Sequence, residues 1–152
     1  MHLTEHFTKE ELTFSETAVR KGIDNTPDLD TLDNLTLLAG MLERVRAILR
    51  YPITISSAYR SPKLNTAIGG SKSSAHMKGL AADFRCPEFG TPKEICHRLR
   101  QEAARIGFEQ LINEQRWVHI SAPQFASEPS LQVLTAHFCN GPVTYTEGLE
   151  DE

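Results

Sequence analysis

The apolar residues in the first fifty positions recur at the spacing of helices that bury one face. Between residues 31 and 50, leucine and valine side chains return every three or four positions, which predicts the strongest helix of the chain. Pro52 ends that helix. An earlier helix is predicted from the capping box that opens at Thr8, through Val19, with its stop near Gly22. The N-terminal third is therefore predicted to be helical.

Later segments alternate, or are rich in β-branched residues, as strands with a buried face do. The predicted strands are residues 53–57, 80–85, 108–113 and 117–121, the last two joined by a tight turn. A short helix is predicted to begin at Pro62. A longer helix is predicted to begin at Thr91 and to run to about Ile106. After Pro123 the pattern weakens, and the acidic end, residues 146–152, is expected to fray. The predicted fold class is α+β: one domain, residues 1–152, with a small antiparallel sheet flanked by helices.

Charge and composition narrow the function classes. A net charge of −4 argues against a nucleic-acid partner, which favours a basic face. No apolar run reaches the length of a membrane span, so we expect no stable membrane association. The N-terminus lacks the pattern of a secretory signal, which predicts a protein that is cytoplasmic as synthesised, and we expect a monomer. The three cysteines, without metal-type spacing, are expected to be reduced and mostly buried.

The segment from Ser74 to Asp83 carries the first candidate chemistry. His76 ends a flexible loop, Asp83 lies in the next predicted strand, and Gly79 allows the chain to turn between them. Imidazole nitrogens and carboxylate oxygens are typical zinc ligands, and a catalytic zinc needs a third one from the protein. His119 is a plausible third ligand, because alternation points it away from its apolar neighbours in the strand. A hydrogen-bonded histidine and a buried salt bridge at Asp83 remain the alternatives.

Several separated motifs resemble those of one enzyme family. Ser-x-His-x-x-Gly-x-Ala-x-Asp, residues 74–83, followed by Trp-Val-His, residues 117–119, resembles the signature of the M15 metallopeptidases. These include D-alanyl-D-alanine carboxypeptidases and dipeptidases and phage L-alanyl-D-glutamate endopeptidases. Residues 57–70 and the opening of the chain are similar to small phage-encoded members. The resemblance covers about residues 3–123 and implies a Hedgehog/DD-peptidase-like fold.

The resemblance implies one zinc ion held by His76, Asp83 and His119. It also implies a catalytic acid/base glutamate upstream of the last histidine, for which Glu114 is the match. Many relatives place this carboxylate three residues before the histidine, where this chain has Arg116. Glu109 is therefore the alternative base.

Two further residues are implied to act on the substrate. Arg60 resembles the family arginine that faces the substrate, and the planar fork of a guanidinium suits a carboxylate or a polarised carbonyl. A surface arginine at a strand end is the alternative. Ser74 is expected to hydrogen-bond within the ligand loop or to the substrate, and not to act as a nucleophile.

The predicted function is zinc-dependent hydrolysis of stem peptides in bacterial peptidoglycan. Both a D-Ala-D-Ala carboxypeptidase and an L-Ala-D-Glu endopeptidase fit the resemblance. The absence of a signal favours an endolysin-type enzyme of a phage or prophage, which acts on the cell wall after release or delivery. The alternative is a catalytically inactive zinc-binding module of the same fold, used in recognition or virion assembly.

Overall fold

The computed structural model of the chain describes residues 1–149, which form a six-stranded sheet with helices packed against it. The helices are α1 (Lys9–Thr13), α2 (Glu16–Lys21), α3 (Leu29–Leu49), α4 (Pro62–Ala67), α5 (Pro92–Gln101) and α6 (Ala103–Ile106). The strands are β1 (Thr54–Ser57), β2 (Ala81–Arg85), β3 (Gln110–Asn113), β4 (Val118–Ser121), β5 (Gln132–His137) and β6 (Thr144–Glu147). A 3₁₀ helix, Ala75–Lys78, precedes β2. The α+β prediction is confirmed.

The first predicted helix is in fact two short ones. Phe14 is extended, and the Ser15 hydroxyl accepts a hydrogen bond from Ala18 N, so a second cap interrupts the pattern and starts α2. The long helix α3 starts from an Asp28 cap, slightly before its predicted first residue. The predicted helix after Thr91 is also divided, because Glu102 leaves helical geometry between α5 and α6.

The sheet order is β1-β2-β4-β3-β5-β6, and every neighbouring pair is antiparallel except β3 and β5. The expected antiparallel sheet thus gains one parallel pair. Its cause is the loop of residues 122–131, which leads from the end of β4 to the side of β3. β5 begins beside Gln110, where β3 also begins, and the two strands then run in the same direction.

One face of the sheet forms the core with the long helices. Phe84, Val118 and Ile120 on the sheet are fully buried with Leu38 of α3 and Leu99 of α5. Alternation along each strand leaves the opposite face for polar residues. Within residues 1–149, none of the helices combines the length and the apolar character that a bilayer-spanning segment needs. Cys86 and Cys96 are buried free thiols, whereas Cys139 is an exposed one.

The C-terminal segment differs from the prediction of a frayed end. Thr146 and Glu147 lie in β6, which pairs with β5. The strand is held at its end because Thr135 Oγ1 donates to the carbonyl of Gly148, and Leu149 is buried. Residues 150–152 of the predicted tail lie outside the described residues.

Gly79 makes the turn that brings the 3₁₀ helix back to β2. Its φ of 74° is left-handed, and its backbone N–H caps the helix by donating to the carbonyls of Ala75 and His76. A methyl group added there would lie 3.0 Å from the carbonyl oxygen of Thr31 in α3. Both the backbone and the packing therefore require glycine at this position.

We expect Gly79→Ala to destabilise the protein more than a matched change at Gly107. Gly107 has the same φ of 74° at the end of α6, but nothing lies within 4 Å of an added methyl group. Gly107→Ala should cost about 1–2 kcal/mol of backbone strain, whereas Gly79→Ala adds a clash with α3. Urea denaturation of the two variants measures the difference. Equal losses would show that the contact with Thr31 is unimportant.

Candidate metal centre

Strands β2 and β4 place Asp83 and His119 side by side. The two residues are direct partners in the antiparallel register, so their side chains project from the same face, which we call the site face. His119 Nδ1 lies 2.9 Å from Asp83 Oδ1. The neighbours Val118 and Ile120 point into the core, as the alternation predicts.

His76 reaches the same carboxylate from the 3₁₀ helix. The residue is 3% exposed, and Nδ1 lies 2.6 Å from the carbonyl oxygen of Ala58, to which it donates when protonated there. That bond leaves Nε2 directed at Asp83 Oδ1, at 3.4 Å. The rings of His76 and His119 meet edge to face, with centroids 5.2 Å apart. The structure thus brings together all three predicted ligands.

These donors fit a metal ion. One atom from each residue lies within 4.8 Å of the other two, and two ligands of a tetrahedral zinc are about 3.4 Å apart. The bond from His76 Nδ1 to a backbone carbonyl is the kind that orients a ligating imidazole. Although burial opposes ionisation, hydrogen bonds from His119 and then His76 hold the pKa of Asp83 well below its usual value. A charged carboxylate is the form that binds a cation.

Arg60 and Ser74 border the centre. Arg60 Nη2 donates to Ser74 Oγ at 3.2 Å, and the same oxygen accepts from His76 N. Ser74 therefore hydrogen-bonds within the ligand loop, the first of its two predicted roles. Nε of Arg60 is buried and has no hydrogen-bond partner among residues 1–149. Such an orphaned donor is costly unless a ligand uses it.

Glu114 lies on the site face, just beyond the end of β3. Ile112 pairs with His119, and Glu114 is two positions further along, where its N–H still donates to Trp117 O. Burial raises the pKa of the Glu114 carboxyl above its usual value; His119 lowers it and the charge of Asp83 raises it further. An open cleft of about 490 Å³ begins here, lined by residues 114–117 and 137–139.

The alternative base, Glu109, lies at the opposite end of β3. Its two carboxylate oxygens accept hydrogen bonds from the backbone N–H and the hydroxyl of Ser130. Arg116 occupies the position where many relatives have a carboxylate, and it is exposed in the turn. Geometry therefore favours Glu114 among the three.

Sequence reasoning missed the residues that fix the ligand loop. The carbonyl of Ala58 orients His76, and the backbone N–H of Arg60 donates to the carbonyl of the same histidine. Asn25 supports this stretch, since its amide donates to Tyr59 O and accepts from Ser61 N. The sequence gives only a weak indication of this role for Asn25, because the residue opens what resembles an ordinary turn before Pro27.

A sequence model of the peptidase M15 family matches residues 5–121, a span that contains the three candidate ligands and Glu114. The chain belongs to the peptidase M15 family. This membership confirms the resemblance of the motifs and indicates a metallopeptidase that acts on a peptide. A search of curated proteins found no match to this M15 member.

Asp83→Asn should remove metal binding from this M15 peptidase while leaving the fold intact. The amide keeps the shape but loses the charge that balances the cation. We expect the affinity for zinc to fall by more than the roughly 10–100-fold lost when an outer partner of a ligand is removed. Competition with a colorimetric zinc chelator measures it. His2→Ala, an exposed histidine far along the chain from the site, is the control, and unchanged zinc affinity in Asp83→Asn would contradict the assignment.

Proposed function

We propose that this protein is a zinc-dependent peptidase that hydrolyses stem peptides of bacterial peptidoglycan. The observation that carries the proposal is the site face itself, where Asp83, His119 and Glu114 project together beside His76. Membership of the M15 family supports a peptide substrate. The wall peptide is inferred from the resemblance to D-alanyl-D-alanine and L-alanyl-D-glutamate peptidases.

In this mechanism Glu114 moves the proton. His76, Asp83 and His119 would hold a zinc ion, which would act as a Lewis acid on the scissile carbonyl and lower the pKa of water. Glu114 accepts a proton from the water that attacks the carbonyl and then delivers it to the leaving amine. Its raised pKa suits both steps. A carboxyl group whose pKa lies closer to the working pH can both accept a proton and release it.

Arg60 binds the substrate in the same scheme. Its Nε, which has no partner within residues 1–149, and the adjoining Nη2 can donate to the carbonyl oxygen as negative charge develops there, or to a terminal carboxylate. Ser74 holds the guanidinium by accepting from Nη2. It thereby positions Arg60 and the His76 loop together.

Glu114→Gln should keep zinc and lose turnover. The amide cannot accept the proton, and general-base catalysis is worth about 10²–10⁴-fold. Glu109→Gln is the matched control and should stay active, since that carboxylate is bound to Ser130. In the wild type, kcat/KM should fall on acidification through a pKa above that of a free glutamate, because the protonated carboxyl is no longer a base. Full activity in Glu114→Gln would exclude its role.

Purified peptidoglycan provides the direct test of the proposed function. We expect zinc-loaded protein to release soluble wall peptides, with the release abolished by a chelator and restored by added zinc. Mass spectrometry of the fragments identifies the cleaved bond and separates a carboxypeptidase from an endopeptidase. Release of peptides supports an endolysin-type role in a phage or prophage. No cleavage of any wall peptide would favour a zinc-binding module used in recognition or virion assembly.

A further inference from the structure

The hairpin of β5 and β6, residues 132–147, lies outside the residues that match the family, yet it extends the site face. Ile112 of β3 pairs with Leu134 of β5, and Ala136 of β5 pairs with Tyr145 of β6. Since Ile112 shares the face of His119, alternation places Leu134, Ala136 and Tyr145 on that face as well.

The register also puts Tyr145 in line with Glu114. The last β3–β5 pair is Asn113 with Thr135, and one more residue of the same register places Glu114 in a row with Ala136 and its β6 partner Tyr145. Two strand spacings separate the ends of this row, roughly 10 Å. Ala136 between them carries only a methyl group, so no large side chain of this row separates Glu114 from Tyr145.

Tyr145 is available to a ligand at this position. Half of its surface is exposed, and within residues 1–149 its hydroxyl has no hydrogen-bond partner. Burial, followed by the negative charges of Glu114 and Asp83, raises the pKa of the phenol. The phenol therefore stays protonated and can donate a hydrogen bond at neutral and mildly alkaline pH.

The turn that carries Glu114 is tied to the same hairpin. Gln115 Nε2 donates to the carbonyl oxygen of Ala136 at 2.9 Å, and Gln115 N donates to Asn113 Oδ1. Glu114 and Tyr145 are thus held on connected backbone segments, and their relative placement does not depend on a free loop.

From this row we propose that Tyr145 is a substrate-binding residue, whose phenol donates a hydrogen bond to an oxygen of the peptide held beside Glu114. The inference rests on the proposed peptidase function and adds a contact from outside the family-matched residues. A peptide oxygen is a suitable partner, because no group within residues 1–149, Glu114 included, hydrogen-bonds to the phenol hydroxyl. Tyr145 acts in binding, whereas the proton transfer belongs to Glu114.

The test compares Tyr145→Phe with Tyr145→Ala, using a synthetic stem peptide that begins with L-Ala-D-Glu and ends in D-Ala-D-Ala. Loss of one hydrogen bond should weaken binding about three- to tenfold in Tyr145→Phe. KM should rise by a similar factor, with kcat within about twofold of wild type. Tyr51→Phe removes an exposed phenol near β1, at the opposite edge of the sheet, and should change neither value. Thr144→Ala, on the other face of β6, controls for disturbance of the hairpin.

Binding is measured separately from turnover in a Glu114→Gln background. Trp117 is the single tryptophan of the chain and lies beside Glu114, so its fluorescence reports the bound peptide. Circular dichroism confirms that each variant is folded.

Equal affinity of Tyr145→Phe and its parent for the peptide overturns the proposal. A loss of affinity seen only in Tyr145→Ala also overturns it, because that result would indicate packing of the ring and not a hydrogen bond. If the wild type cleaves the peptide but Tyr145→Phe matches it in both assays, the role of Tyr145 is excluded while the proposed peptidase function stands. If the wild type neither cleaves nor binds, the proposed function fails with it.

Discussion

The Asp83 carboxylate between two imidazoles is the constraint on which the site depends. A carboxylate on a largely buried strand is costly unless it is paired, and here it is paired with His119 across the sheet and with His76 from the loop. A different structural feature positions each of the two histidines. The β2–β4 register fixes His119, while a backbone carbonyl and the Gly79 turn fix His76. The geometry of the three candidate ligands therefore follows from the sheet register, the Ala58 carbonyl and the Gly79 turn.

The same environment gives two neighbouring carboxyl groups opposite properties. Burial opposes ionisation of both, but Asp83 has hydrogen bonds from two imidazoles, whereas no residue within 1–149 donates a hydrogen bond to the Glu114 carboxyl. The pKa of Asp83 is therefore lowered and that of Glu114 is raised. When two carboxyl groups in one site have different pKa values, the one with the lower pKa can bind a cation and the one with the higher pKa can exchange protons.

Much of this arrangement could be predicted from sequence. The alternation of apolar residues in β4 predicts that His119 points away from the core. A buried carboxylate, Asp83 in β2, predicts that polar partners lie beside it. The helix α3 followed from the spacing of its apolar residues, and its predicted start at residue 31 is two positions after the observed one. The C-terminal hairpin could not be predicted, because β6 is exposed throughout and has no buried face to impose a pattern. Its position depends on pairing with β5, and a single sequence contains no record of that long-range contact.

The displaced glutamate has a physical explanation in the β3–β4 turn. Gln115 adopts a left-handed φ of 72°, which closes the turn within residues 114–117. Glu114 therefore keeps the alternation of β3 and stays on the face of His119, whereas Arg116 falls in the turn and points to solvent. A carboxylate three residues before the histidine would have the exposed position of Arg116. In a turn of this shape, the fifth residue before His119 is the one that the sheet holds on the same face as the candidate metal ligands.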